Sequence, residues 1–184
     1  MSVTMPVNGR FVKPEVVVSH FHLRPGDTVA DFGAGKGFFV GPLAQAVGSS
    51  GRVFACEIQK NLVDAIGEVI RVENLANVEV LWCDLEAEHG IKITDNGVDT
   101  AVLINTLFQI EDKPTALREM VRTVRPGGKF FVIDWSESFG GLGPHPDHVI
   151  NEQEVKDLCE STGLVFERSF DAGDHHYGLA FRKA

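Results

Sequence analysis

The sequence predicts an α/β fold: a mostly parallel sheet layered between helices. Two observations carry that reading. Short apolar runs alternate with segments whose apolar residues recur at helical spacing, along most of the 184 residues. A glycine-rich turn, Gly33-Ala34-Gly35-Lys36-Gly37, directly follows the first of those runs, and open parallel sheets bind their ligands beyond the strand ends.

The elements follow in order. "VVVSHFHL" closes an opening helix at His20 and His22. "DTVADF" (27–32) is a short buried strand, and 37–47 is a helix stopped by Gly48. "GRVFACE" (51–57) is a second strand. Leu62, Val63, Ile66, Val69 and Ile70 then share one helix face. "NVEVLW" (77–82) alternates as a third strand, and "VDTAVLIN" (98–105) is apolar enough to be buried on both faces. Asp112 and Pro114 open another helix, with Leu117, Met120, Val121 and Val124 on one side. "RPGG" (125–128) ends it, and "KFFVID" (129–134) is a fifth strand. The Gly- and Pro-rich stretch after it is loop. Asn151 and Glu154 pair as an N-cap before a helix holding Val155, Leu158 and Cys159. "LVFERSF" (164–170) and "YGLAFR" (177–182) are closing strands.

Composition bounds the function. The chain is 43% hydrophobic and 23% charged, ordinary for a globular protein. Its length suits one domain over 1–184. No apolar run is long enough for a membrane span. "MSVTMPVNGRFVKP" lacks the basic-then-apolar order of a secretion signal, so a cytoplasmic protein is expected. A net charge of −9, with no basic run, argues against a nucleic-acid partner. Cys56, Cys83 and Cys159 match no zinc spacing, and they read as small buried residues. Nothing here fixes the oligomeric state.

The glycine turn narrows the ligand. Glycine lets a ligand approach the backbone with no Cβ in the way. A dinucleotide fingerprint needs G-x-G-x-x-G. The sixth position counted from Gly33 is Phe38, and from Gly35 it is Val40, so a nicotinamide-dependent oxidoreductase is disfavoured. Asp31 stands two residues before the first glycine, where it suits a cationic group better than a phosphate. Glu57 ends the second strand, placed to accept from a ribose diol. Asp84 follows the third strand and Asn105 closes the fourth.

This constellation resembles the class I S-adenosylmethionine-dependent methyltransferases, and is similar to their small quinone- and arsenite-modifying type. "DFGAGKG", "FACEIQ", "WCDL", "INTLFQIED" and "LREMVRTVRPGGKFFVIDW" look like successive family motifs, over roughly residues 26–135. The resemblance implies a Rossmann-like three-layer fold. Its sheet has seven strands, with the last antiparallel between the fifth and sixth. It implies S-adenosyl-L-methionine as cofactor. Asp31, Gly33, Ala34, Gly35 and Gly37 would line its methionine part, and Asn105 would meet its amino group through the main chain. Glu57, followed by Ile58, would take the ribose; Cys83, Asp84 and Leu85 would hold the adenine. Lys36 departs from the pattern, since a small residue is frequent inside that turn.

The sulfonium of this cofactor already activates the methyl group, so a general base is optional. Phe11, Phe38 and Phe108 are candidates to flank the sulfonium, with core packing as the competing reading. The acceptor, expected to be a small molecule, must meet segments outside the sheet: 1–26 as a cap and 135–150 as a substrate-side loop. His20 and His22 end the opening helix, His145 and His148 lie in the 135–150 loop, and His175 and His176 lie in the turn between the closing strands. Of these, His20, His145 and His148 are the favoured catalytic candidates, together with Asp134 at the end of the fifth strand. No metal is expected. Two loop histidines three apart are not a metal signature, and Asn105 stands where magnesium-dependent catechol methylation would need an acid. The cysteines do not suggest metalloid binding. Two alternatives stay open: a nucleoside-binding module without turnover, and a lipid-headgroup methyltransferase.

Overall fold

The computed structural model describes residues 12–139 and 143–184. Phe11, most of the first half of the expected 1–26 cap, and residues 140–142 of the 135–150 loop lie outside the described residues. Among the described residues, one sheet holds β1 (Thr28–Phe32), β2 (Arg52–Glu57), β3 (Val78–Trp82), β4 (Val98–Ile104), β5 (Val124–Trp135), β6 (Leu164–Asp171) and β7 (His176–Lys183). The order is β3-β2-β1-β4-β5-β7-β6. The strands from β1 to β5 pair in parallel, and β7 runs antiparallel to both β5 and β6. The seven-stranded sheet with its reversed last strand is therefore as the resemblance implies.

The central strands are mostly apolar because both their faces are covered. On β5, Phe130 and Val132 face one hydrophobic cluster, while Phe131 and Ile133 face the other. α4 (Lys113–Thr123) and α5 (Glu152–Glu160) cover the first face. α1 (Pro14–Ser19), α2 (Val40–Val47) and α3 (Lys60–Glu73) cover the second. Caps start the helices where the sequence predicts. Asp112 accepts from Thr115 N–H, and Asn151 accepts from Glu154 N–H at 3.0 Å. Among the described residues, no helix is long and apolar enough to cross a membrane.

Two of the boundaries that differ from the sequence reading have a clear backbone cause. The helix expected over 37–47 begins only at Val40, because Gly37 holds φ +81°, outside helical space. The fifth strand begins at Val124 rather than at Lys129. Val98 pairs with Val124 and Thr100 with Lys129. "RPGG" is thus a bulge inside the strand, with Gly127 at φ +73°. Two short 3₁₀ turns, Leu107–Gln109 and Pro146–His148, carry no periodicity and went unpredicted.

Candidate functional site

A cleft of about 570 Å³ opens beyond the carboxyl ends of β1, β2, β3 and β4. Parallel strands all end on this edge, so the residues that finish them converge. Asp31, Gly33, Ala34, Gly35, Glu57, Ile58, Cys83, Asp84, Leu85 and Asn105 all line it.

The glycine turn is built by the neighbouring strand. Gly33 and Ala34 N–H both donate to the Cys56 carbonyl, at 2.9 and 3.0 Å. Gly33 sits at φ +71°, and a Cβ there would stand 2.5 Å from Thr106 Oγ1. No other residue fits, because both the backbone and the space forbid it. Gly35, at φ +58°, points a missing Cβ into open cleft, with nothing nearer than 4.0 Å. Gly37 is the exception among the expected cofactor residues. It packs towards Ile66 and Val69 of α3, and does not line the cleft.

Glu57 holds the turn from below. Its Oε2 accepts from Gly35 N–H at 3.0 Å, and its Oε1 accepts from Ile58 and Gln59 N–H at 2.9 and 3.0 Å. A carboxylate offers about four acceptor positions, so one is left for a ligand hydroxyl. The sequence reading saw a ligand contact here and missed the scaffold role.

Asp31 is 2% exposed, and its Oδ2 is buried without a hydrogen-bond partner. Burial, and then the charge of Glu57, push its carboxyl up to about 7. Asn105 adds a second orphan. Its main-chain N–H is spent on Ile133 O at 2.8 Å, and its carbonyl accepts from Gln109 Nε2 at 3.0 Å. Its side-chain Oδ1 is buried without a partner, at a backbone φ of +53°. The main-chain carbonyl, expected from sequence to meet the ligand, keeps one acceptor position, and the side-chain oxygen adds another that the sequence did not suggest. Two unpaired acceptors in one cleft suit a ligand that brings N–H donors and positive charge.

At the other end, Asp84 Oδ1 accepts from Glu86 N–H at 3.0 Å. Glu86 in turn accepts from Asp112 N–H at 2.6 Å, which ties this wall to the start of α4. Cys56 and Cys83 both line the cleft; the neighbouring Cys83 thiol and burial hold the Cys56 thiol well above its ordinary range. Phe38 also lines the cleft and is 72% exposed, free to lie over a ligand. Phe108 packs instead against the core. Gln59, Thr106 and Gln109 line the cleft too. They fall inside "FACEIQ" and "INTLFQIED", where nothing marked them out individually.

The structure does not bring the catalytic candidates into this cleft. Asp134 is buried beside it, accepting from Trp135 and Phe108 N–H at 2.9 and 3.3 Å. Burial raises its carboxyl to about 6 against those bonds. His20 caps α1 and stacks on Phe170 at 4.8 Å. His145 and His148 sit on the Pro146–His148 turn with rings 6.2 Å apart. The side chain of His145 is 68% exposed.

Comparison with known proteins agrees with the geometry. A family described as a methyltransferase domain matches residues 23–177. An uncharacterised 37.1 kDa protein in a transposon of Streptomyces fradiae is 34% identical over 122 residues, 65% of this chain and 34% of that protein. A ubiquinone/menaquinone biosynthesis C-methyltransferase, UbiE of Klebsiella pneumoniae, is 31% identical over 116 residues, 62% of this chain and 45% of that one. The matched region thus spans less than half the length of these curated relatives. A SAM-dependent methyltransferase from Aquifex aeolicus superposes with TM-score 0.87 at 30% identity, covering 95% of this chain and 91% of that one. A geranyl diphosphate C-methyltransferase from Streptomyces coelicolor, solved with S-adenosyl-L-homocysteine, superposes with TM-score 0.76. At 14% identity, over 93% of this chain and 76% of that one, it is like this chain in fold alone.

Proposed function

We propose direct methyl transfer to a small-molecule acceptor for this chain, which belongs to the class I S-adenosylmethionine-dependent methyltransferases and uses S-adenosylmethionine as its cofactor. The observation that carries the placement is the pair of buried, unpaired oxygens, Asp31 Oδ2 and Asn105 Oδ1, above a glycine turn open at Gly35. In this reading Asp31 and Asn105 accept from the ammonium of the cofactor. Glu57 takes a ribose hydroxyl on its one remaining acceptor position. Cys83, Asp84, Leu85 and Ile58 shape the adenine end. When bound, the cofactor supplies a methyl group activated by its sulfonium. The chain's own task is to hold and orient, and to keep water from the approach line.

The similarity to a C-methyltransferase of ubiquinone/menaquinone biosynthesis supports a small acceptor, and the net charge of −9 argues against a nucleic-acid one. We place the reaction in the cytoplasm, in one domain over residues 1–184. Asp134 is the candidate base that lies beside the cleft. His20, His145 and His148 belong to segments that would meet an acceptor from outside it.

The test is incubation with S-adenosylmethionine and a panel of hydroxyl, thiol, amine and activated-carbon acceptors, read by mass spectrometry. Acceptor-dependent formation of S-adenosylhomocysteine and a methylated product is the expected result. Tight cofactor binding with no product across the panel, lipid headgroups included, would favour a module without turnover.

A further inference from the structure

Among the described residues, three buried side-chain polar atoms lack a hydrogen-bond partner. Two are the cleft oxygens of Asp31 and Asn105; the third is His176 Nε2. His176 is outside the cleft lining, yet it stands on the same edge of the sheet. Asn105 N–H continues the β4–β5 ladder by donating to Ile133 O at 2.8 Å. Trp135 pairs with His176, and Ser136 N–H donates to His175 O at 2.8 Å. Two strand steps of about 4.8 Å put His176 roughly 10 Å from Asn105, beyond the methionine end of the cleft.

The ring is held in one state. Its Nδ1 lies 2.8 Å from the Asp174 carbonyl oxygen. A carbonyl only accepts, so Nδ1 carries the proton and Nε2 presents a lone pair. Burial, and to a lesser degree the neighbouring His175, lower the pKa and so favour the neutral imidazole, against the Asp174 bond. The Trp135 indole packs on the ring at 4.2 Å and fixes its plane. A fixed tautomer with a buried, unanswered acceptor is costly to maintain. A plain core position would be filled more stably by phenylalanine.

We propose that His176 Nε2 anchors the methyl acceptor, accepting a hydrogen bond from its O–H or N–H at the ends of β5 and β7. The proposal rests on the methyltransferase reading and deepens it. It requires an acceptor that carries a proton donor, and it discriminates against ethers and carbonyl compounds of the same shape, because those leave Nε2 unpaired.

The test uses the whole chain, wild type and His176→Phe, loaded with S-adenosylhomocysteine. Phenol is the hydroxyl probe, and anisole is its counterpart without a donor. Calorimetry first measures S-adenosylhomocysteine binding; long-range ¹H–¹⁵N spectra then follow the His176 ring nitrogens. Phenol is expected to move the Nε2 resonance to a hydrogen-bonded position, and anisole to leave it in place. His176→Phe keeps the packing on Trp135. It should melt no lower than wild type, hold S-adenosylhomocysteine within twofold, and bind phenol at least tenfold more weakly. A resonance that ignores phenol, or answers anisole equally, overturns the proposal. So does a variant that melts lower yet binds phenol as before, since that is a structural role. Absence of S-adenosylhomocysteine binding would overturn both readings; its presence with a still Nε2 overturns this one alone.

Discussion

Asp31→Asn should give a chain that melts higher than wild type at pH 8 and no longer holds S-adenosylmethionine tightly. Asp31 is buried, its Oδ2 is unpaired, and its carboxyl sits at about 7 against an ordinary 3.8. The cause is burial first and the charge of Glu57 second. A folded-state value above the unfolded one means that the folded chain binds this proton more tightly. The associated stability is complete below the unfolded value and is lost as pH rises through the folded one. Between about pH 4 and 7 the loss is on the order of 4 kcal/mol, at 1.36 kcal/mol per unit. Asn removes that dependence while keeping the shape. It also removes the negative charge that a ligand ammonium would meet, so affinity should fall at least ~30-fold, about 2 kcal/mol. Melts of both ligand-free proteins across pH 4–8 would check the first part, and calorimetry the second. Parallel melting curves, or unchanged affinity, would remove Asp31 from the account.

Replacing Glu57 should be as damaging to binding, by a different route. Its carboxylate answers three main-chain N–H groups, of Gly35, Ile58 and Gln59. Glu57→Ala loses the ligand contact and also leaves those amides without an acceptor, so the glycine turn loses its shape. Charge-assisted bonds are worth about 1.5–3 kcal/mol each, and affinity should drop on the order of 100-fold. Glu57→Gln tests the scaffold role. A side-chain amide has one acceptor oxygen, and its NH₂ would face a backbone donor. It should therefore fail to rescue binding. Near-normal affinity in Glu57→Gln would mean that the turn does not depend on this carboxylate.

The sheet was legible because burial on both faces writes itself into sequence as apolar runs, such as "VDTAVLIN" and "KFFVID". The reversed strand β7 was not legible that way; antiparallel pairing leaves no mark distinct from the run itself, and it came from family resemblance. The cleft residues were legible because strand ends converge, so an acid or amide after each run is placed by topology alone. What went unseen depended on three-dimensional partners. Gly37 reads like Gly35, yet a Cβ on it would meet Ile66 and Val69 of α3, whereas Gly35 faces the cleft. The late start of α2 follows from the φ of Gly37, which the helix-like spacing after it conceals. His176 looked like one turn histidine among several. Its unpaired nitrogen follows from burial against Trp135, and no spacing encodes that.

At stake is the placement of S-adenosylmethionine in the cleft at the ends of β1, β2, β3 and β4. Calorimetric titration of the wild-type chain with S-adenosylmethionine, beside NAD as a nucleotide control, tests it most directly. A single site with a dissociation constant on the order of micromolar, about −8 kcal/mol, and no binding of NAD in the same range are the expected results. No heat at millimolar S-adenosylmethionine, or equal affinity for NAD, would contradict that placement.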